Sequence, residues 1–117
     1  MKFDDAVSLV GVPGLATNGP STWADLGAGT GLFSVAIASL LAKQSVVYAV
    51  DKAPGIKEQT TTNAVRIVPV RKNFVSDELQ LPVLDGIVMA NSLHFVIDKP
   101  PMFARLRSMI RPGGILI

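Results

Sequence analysis

The chain has 117 residues, of which 49 % are hydrophobic and 17 % charged, and its formal net charge is +2. This length fits one compact domain, so we predict a single domain over residues 1–117. The charges are scattered, without the run of like sign that marks a nucleic-acid-binding arm or a membrane-surface patch. With no cysteine and one histidine, the sequence excludes disulfides and predicts no protein-held metal site.

The first twenty residues predict a short helix and a loop that ends at Gly19-Pro20. Residues 6–16 are apolar like the middle of a signal peptide, but Asp4 and Asp5 stand where such a peptide carries positive charge. No apolar stretch is long enough to span a bilayer. We therefore expect a cytoplasmic protein with no membrane partner and no nucleic-acid partner.

From residue 22 onward, short apolar runs alternate with helix-like stretches, the pattern of parallel strands joined by crossovers. Strands covered on both faces are apolar throughout, as residues 46–50 and 87–90 are. The predicted strands are 22–26, 45–50, 64–70, 84–90 and 114–117, and the predicted helices are 30–43, 54–61 and 100–110.

Pro69 lies inside the third predicted strand, where it has no N–H to donate to a neighbouring strand. That strand should therefore lie at a sheet edge, which fits a strand order of 3-2-1-4-5. The fold class predicted is α/β, with three layers and a doubly wound, mostly parallel sheet between helices.

Three glycines, Gly27, Gly29 and Gly31, follow the first predicted strand and lead into an apolar helix. Without Cβ atoms the backbone can turn tightly and a ligand can approach it closely; the alternative is a tight turn alone. The dinucleotide-binding fingerprint has its third glycine three positions after the second, where this chain has Leu32. A nicotinamide or flavin cofactor is therefore disfavoured.

The run DLGAGTG, residues 25–31, resembles the first motif of class I S-adenosylmethionine-dependent methyltransferases. The resemblance implies that the loop passes under the methionine part of S-adenosylmethionine, with Asp25 near the amino group of this cofactor, directly or through water. The alternative for Asp25 is that it only accepts hydrogen bonds from loop amides. The cofactor-binding residues that the motif implies are Asp25, Gly27, Ala28, Gly29 and Gly31.

An acidic residue, Asp51, ends the second predicted strand about twenty residues beyond the loop. A carboxylate there can accept hydrogen bonds from both hydroxyls of a ribose, and we assign Asp51 and the adjacent Lys52 to the cofactor site. The alternative for Asp51 is that it caps the short helix predicted after it.

After the third predicted strand, the same family has an acidic residue and then an apolar one at the adenine ring. This chain has Asn73-Phe74, whose amide oxygen can still accept from the exocyclic amine of adenine, or the recognition shifts to Asp77. The alternative is that Asn73 is a turn residue and Phe74 anchors the core.

The segments 81–100 and 110–117 resemble the fourth-strand region and the fifth-strand entry of the family, in the branch with a Leu-His pair after the fourth strand. This implies that Asn91 contacts the cofactor and that His94 is the base that takes a proton from a weak nucleophile. The alternative for His94 is a packed or half-exposed histidine. Arg105, Arg107 and Arg111 form either a basic patch or a solvated helix face.

The family's sheet has seven strands, so the resemblance implies a C-terminally truncated relative that lacks strands six and seven. An exposed edge at residues 115–117 would be a template for pairing, and we expect a homodimer or a partner segment there. The leading interpretation is an S-adenosylmethionine-dependent methyltransferase acting on a small molecule or other acceptor. The alternatives are a non-catalytic module that binds S-adenosylmethionine or S-adenosylhomocysteine as a partner subunit, and a nicotinamide-binding half-domain.

Overall fold

A mostly parallel sheet between helices organises residues 2–11, 19–90 and 99–117, which the computed structural model describes. The strands are β1 (Thr22–Leu26), β2 (Val46–Asp51), β3 (Gln59–Thr60), β4 (Arg66–Arg71), β5 (Leu84–Val88) and β6 (Ile110–Leu116). The helices are α1 (Phe3–Val10), α2 (Leu32–Ala38) and α3 (Lys99–Met109).

The strand order in this sheet is β3-β4-β2-β1-β5-β6, and each neighbouring pair is parallel except β3 with β4. Without β3, this is the predicted order 3-2-1-4-5, which is confirmed. The addition of β3 is a difference, because a short antiparallel strand now flanks the third predicted strand.

The helix predicted over residues 54–61 is wrong. The amide of Gly55 donates to the carbonyl oxygen of Gly29 at 2.7 Å, which ties this segment to the glycine loop. Residues 59 and 60 then pair with Ile67 and Arg66 of β4 as strand β3. The local sequence of residues 54–61 does not reveal these long-range partners.

Pro69 lies at an unpaired edge, as predicted. On its inner side it pairs with Ala49 of β2, whereas β3 reaches only Arg66 and Ile67. Within the described residues, β4 therefore has no outer neighbour at Pro69, where the missing N–H would interrupt a ladder.

Several elements have different bounds from those predicted. Helix α2 ends at Ala38 rather than residue 43, because the chain tightens into 3-residue turns in which the amides of Leu40 and Leu41 donate to carbonyls three positions back. Strand β4 begins after Ala64, whose φ of 60° is left-handed. Strand β6 follows α3 directly and contains an irregularity in its pairing with β5.

Side chains of β1 alternate between two cores, one on each face of the sheet. Trp23, 2 % exposed, packs in the core with Phe33 and Ile37 of α2. Leu26 packs on the other face with Leu106 of α3. Because neighbouring side chains of a strand point to opposite faces, this arrangement makes the three layers that the sequence predicts.

The parallel strands β1, β2, β4 and β5 run in one direction, so their carboxyl ends meet at one edge of the sheet. The glycine loop follows β1, Asp51 ends β2, and Asn73 lies two residues beyond β4. Open parallel sheets bind ligands at this edge.

Strand β6 is the last strand of the described sheet on its side. The expected placement of this strand at an edge is therefore confirmed. The pairing of a second chain or a partner segment there stays a prediction, which the oligomeric state by light scattering tests.

We expect Gly86→Ala to lower the free energy of unfolding by about 1–3 kcal/mol. Gly86 of β5 is paired with Trp23 of β1, and a Cβ atom at Gly86 would overlap the six-membered ring of this indole. Denaturant unfolding of the variant measures the loss. Gly19→Ala is the control, since a Cβ atom there would meet nothing within 4 Å. If Gly86→Ala lowered the free energy of unfolding as much in a Trp23→Leu protein as in the wild type, the packing argument would be contradicted.

Candidate functional site

The glycine loop joins β1 to α2 in a conformation that needs glycine. The φ angles of Gly27, Gly29 and Gly31 are 76°, 55° and 90°, all in the left-handed region where residues with a Cβ atom are strained. The amides of Gly27 and Ala28 both donate to the carbonyl oxygen of Val50, at 2.8 and 2.9 Å. The loop is therefore fixed to the end of β2.

Part of the glycine requirement comes from the protein itself. A Cβ atom at Gly31 would lie 2.6 Å from Cδ1 of Ile56, and one at Gly55 would lie 3.0 Å from the carbonyl oxygen of Gly29. Gly29 is different, because a Cβ atom there would meet no atom of the other described residues within 4 Å. The loop thus leaves open space beside its central glycine, where a ligand can contact the backbone.

Asp51 lies next to this open space, half-buried at the end of β2. Its Oδ1 accepts from the amide of Gly29 at 3.2 Å, and its Oδ2 accepts from the amide of Ala53 at 2.9 Å. The alternative in which Asp51 caps a helix is wrong, because residues 52–65, all of them described, contain no helix. A carboxylate has roughly four acceptor positions, so capacity remains for two ribose hydroxyls. Lys52 follows with an exposed side chain.

Asp25 lies beneath the loop on β1 and is 2 % exposed. Its Oδ2 accepts from the hydroxyl of Ser34 on α2 at 2.8 Å, and the backbone of Ser34 also donates to this carboxylate, so the partner is a residue of α2 and not of the loop. Burial raises the pKa of Asp25 to about 6. The hydrogen bond from Ser34 acts against this rise, and the negative charge of Asp51 adds to it.

Asp25 and Asp51 together make this edge of the sheet favourable for a cation. The negative charge of Asp51 makes ionisation of Asp25 less favourable. The ion pairs formed within the described residues involve other acids, Glu58 and Asp85. A positively charged ligand beside the loop would relieve this repulsion.

A single turn follows β4 on the neighbouring side of the site. The carbonyl oxygen of Asn73 accepts from the amides of Ser76 and Asp77, at 3.3 and 2.8 Å. Its side-chain Oδ1 accepts from the amide of Val75 at 3.0 Å, so Asn73 is a turn residue. The Oδ2 of Asp77 accepts in return from the amide of Asn73 at 2.8 Å.

Phe74 is the core anchor that the sequence offered as an alternative. Its side chain is 7 % exposed and packs with Leu26, Val50 and Leu79 on the α3 side of the sheet. A contact of Phe74 with a cofactor would therefore come through its backbone amide. The roles of Asn73 and Phe74 toward an adenine ring stay predictions.

Arg105 is a residue of this region that the sequence analysis misjudged. Its Nη1 donates to the carbonyl oxygens of Phe74 and Val75, at 2.5 and 3.2 Å, and its Nη2 donates to that of Asp77. The interpretation as a solvated helix face is therefore wrong for Arg105. Its partners lie about thirty residues earlier in the chain, and no sequence pattern signals that distance.

The predicted residues Asn91 and His94 lie outside the described residues. Their proposed contacts with cofactor and nucleophile stay predictions. Arg111, the third arginine of the suggested patch, pairs through Nε with Oδ1 of Asp85 at 2.5 Å. The glycine loop, Asp25, Asp51 and Asn73 are thus the predicted site residues that the sheet brings to one edge.

The methyltransferase domain family matches residues 24–116, which include the loop, both carboxylates and the turn after β4. The chain belongs to this methyltransferase family. The match bears out the resemblance to class I S-adenosylmethionine-dependent methyltransferases that the DLGAGTG motif carries. The nicotinamide-binding half-domain is the alternative that this match argues against.

Two known proteins are similar over most of the chain. A malonyl-[acyl-carrier protein] O-methyltransferase of Xylella fastidiosa (strain M23) is 31 % identical over 102 residues, which cover 84 % of this chain and 34 % of that protein. The crystal structure of a proposed methyltransferase from an antibiotic biosynthesis pathway of Anabaena variabilis is 25 % identical, with a TM-score of 0.62. That match covers 97 % of this chain and 43 % of the other. The chain therefore spans about a third of the curated relative's length.

No helix among the described residues is long and apolar enough to cross a membrane. They contain no group of three or more His, Cys, Asp or Glu side chains arranged to hold a metal ion.

We expect Asp25→Asn to change how stability depends on pH. The raised pKa of Asp25 means that the folded protein retains its proton between about pH 4 and pH 6, whereas the unfolded chain, at 3.8, has released it. The wild type therefore loses stability as pH rises through this interval. Between pH 4 and pH 7.5, the free energy of unfolding of the wild type should fall by roughly 1–3 kcal/mol more than that of Asp25→Asn.

Urea unfolding of both proteins at pH 4, 5, 6 and 7.5 measures this difference. Asp5→Asn is the control, since it removes the same charge from an exposed position on α1. Parallel pH profiles for the wild type and Asp25→Asn would contradict the burial of an ionisable carboxyl at this site.

Proposed function

We propose that this chain binds S-adenosylmethionine at the glycine loop and is the cofactor-binding part of an S-adenosylmethionine-dependent methyltransferase. The observation that carries the proposal is the open space beside Gly29, with the carboxylate of Asp51 hydrogen-bonded to the amide of the same residue. Membership of the methyltransferase family supports the choice of cofactor.

In this proposal each part of the site contacts a different part of the cofactor. Asp51 accepts from the ribose hydroxyls with the acceptor capacity that Gly29 and Ala53 leave unused. The loop backbone lies against the methionine part. Asp25, the buried carboxylate, supplies negative charge near the amino group and the sulfonium of the ligand.

Electrostatics support this choice of ligand over a neutral one. S-adenosylmethionine supplies, when bound, an electrophilic methyl group on a cationic sulfur. Bringing that cation near Asp25 favours the ionised carboxylate and returns part of the energy spent on burying it. The chain's residues act by binding and orienting, which is most of what an in-line displacement requires of a protein.

We further propose that His94 takes the proton from a weak nucleophile and that Asn91 lines the cofactor. Support comes from the sequence, in which both residues follow shortly after β5. The carboxyl end of β5 lies at the edge that carries the glycine loop. A small molecule is the acceptor class that we propose, and the antibiotic-pathway assignment of the Anabaena variabilis protein is consistent with it.

A second candidate is a non-catalytic module that binds S-adenosylmethionine or its demethylated product. The observation in its favour is that the loop amide and the carboxylates of Asp25 and Asp51 would hold the cofactor whether or not an acceptor binds. Methyl transfer from labelled S-adenosylmethionine to any acceptor in a pool of small molecules would rule out this candidate.

We expect Asp51→Ala to weaken S-adenosylmethionine binding by at least about tenfold, because the ribose would lose two charge-assisted hydrogen bonds. Calorimetric titration of the whole chain measures the dissociation constant, with NAD as the comparison ligand. Asp5→Ala is the control for the loss of one negative charge. Unchanged affinity in Asp51→Ala would make the ribose assignment wrong, and saturable binding of NAD alone would overturn the proposed cofactor.

A further inference from the structure

Arg105 joins α3 to the turn that follows β4. Its guanidinium reaches three carbonyl oxygens of this turn, those of Phe74, Val75 and Asp77. The side chain is half-buried. Arg105 is thus the described α3 side chain that fixes the conformation of residues 73–77.

The chemistry of these contacts suits arginine in particular. The carbonyl oxygen of Asn73 is satisfied by the amides of Ser76 and Asp77, whereas the later carbonyls of the turn point toward α3. A cation at the carboxyl end of a turn or helix satisfies such carbonyls and the negative end of the backbone dipole. A planar guanidinium presents several donors in fixed directions, which a lysine ammonium does not.

The turn held by Arg105 lies beside the proposed ribose site. Residue 71 pairs with Asp51 across β4 and β2, and the amide of Lys72 donates to the carbonyl oxygen of Asp51 at 3.0 Å. In an adenosine ligand the base is attached directly to the ribose. A ribose held by Asp51 therefore places its base near the start of the turn, at Asn73 and the amide of Phe74.

We propose that Arg105 is a positioning residue that sets the selectivity of this site for adenine. It holds residues 73–77 so that polar groups at the start of the turn face the edge of the base. Loss of Arg105 frees the turn, and the discrimination between an amino group and a carbonyl oxygen on the purine falls. This inference rests on the proposed function, since it requires an adenosine ligand at Asp51.

The test compares S-adenosylhomocysteine with S-inosylhomocysteine, in which a carbonyl oxygen replaces the exocyclic amine. The proteins are the whole chain, Arg105→Ala, Arg105→Lys and the control Arg107→Ala, an exposed arginine on the same helix. We expect Arg105→Ala to bind S-adenosylhomocysteine about tenfold more weakly and S-inosylhomocysteine with a smaller loss, so that selectivity shrinks. Arg105→Lys should recover part of the selectivity, and Arg107→Ala should retain all of it.

Amide hydrogen exchange without ligand tests the clamp separately. In Arg105→Ala, the amides of Val75 and Asp77 should exchange faster than in the wild type, whereas the amides of β1 and β2 should exchange at unchanged rates. Unchanged exchange at the turn would overturn the clamp. Equal losses for the two ligands would mean a structural role only, which also overturns the inference. If the wild type binds neither ligand while the exchange result holds, the proposed function fails and the clamp alone stands.

Discussion

The site depends on one contact between neighbouring parallel strands, the two amides of Gly27 and Ala28 donating to the carbonyl oxygen of Val50. This contact fixes the chain as it leaves β1 against the end of β2. It brings the amide of Gly29 within hydrogen-bonding distance of Asp51 and leaves the open space beside Gly29. Because the strands are parallel, the turn after β4 reaches the same edge.

A buried carboxylate at this edge opposes folding, and in the function that we propose it favours the binding of a cationic ligand. Burial removes water from Asp25, and the hydrogen bonds from the hydroxyl and backbone of Ser34 do not fully replace it, so the pKa of Asp25 is raised. An apolar residue of similar size would suit the core better. We interpret Asp25 as a residue retained for its charge, since stability is commonly sacrificed where a site needs a particular electrostatic environment.

The sequence predicted the order of the five main strands from two local features. Strands that are apolar throughout indicate a parallel sheet covered on both faces, and Pro69 indicates that its strand lacks a neighbour on one side. It predicted the glycine loop and Asp51 for a related reason, since spacing along the chain decides what lies at consecutive strand ends. It failed at residues 54–61, where the contact of Gly55 with Gly29 overrides the helical pattern. It also missed Arg105, whose carbonyl partners carry no side-chain signal.

By itself, the sequence determined the fold class and the residues at the ends of the first strands, because these follow from composition and short-range spacing. It indicated the family through the resemblance of its DLGAGTG motif. Only the tertiary structure decided how those residues act together. Burial gave Asp25 its raised pKa, packing of Ile56 made Gly31 necessary, and the approach of α3 turned Arg105 into a clamp on the turn after β4. Each of these effects joins residues far apart in the chain, and desolvation and contact arise only when the layers close on one another.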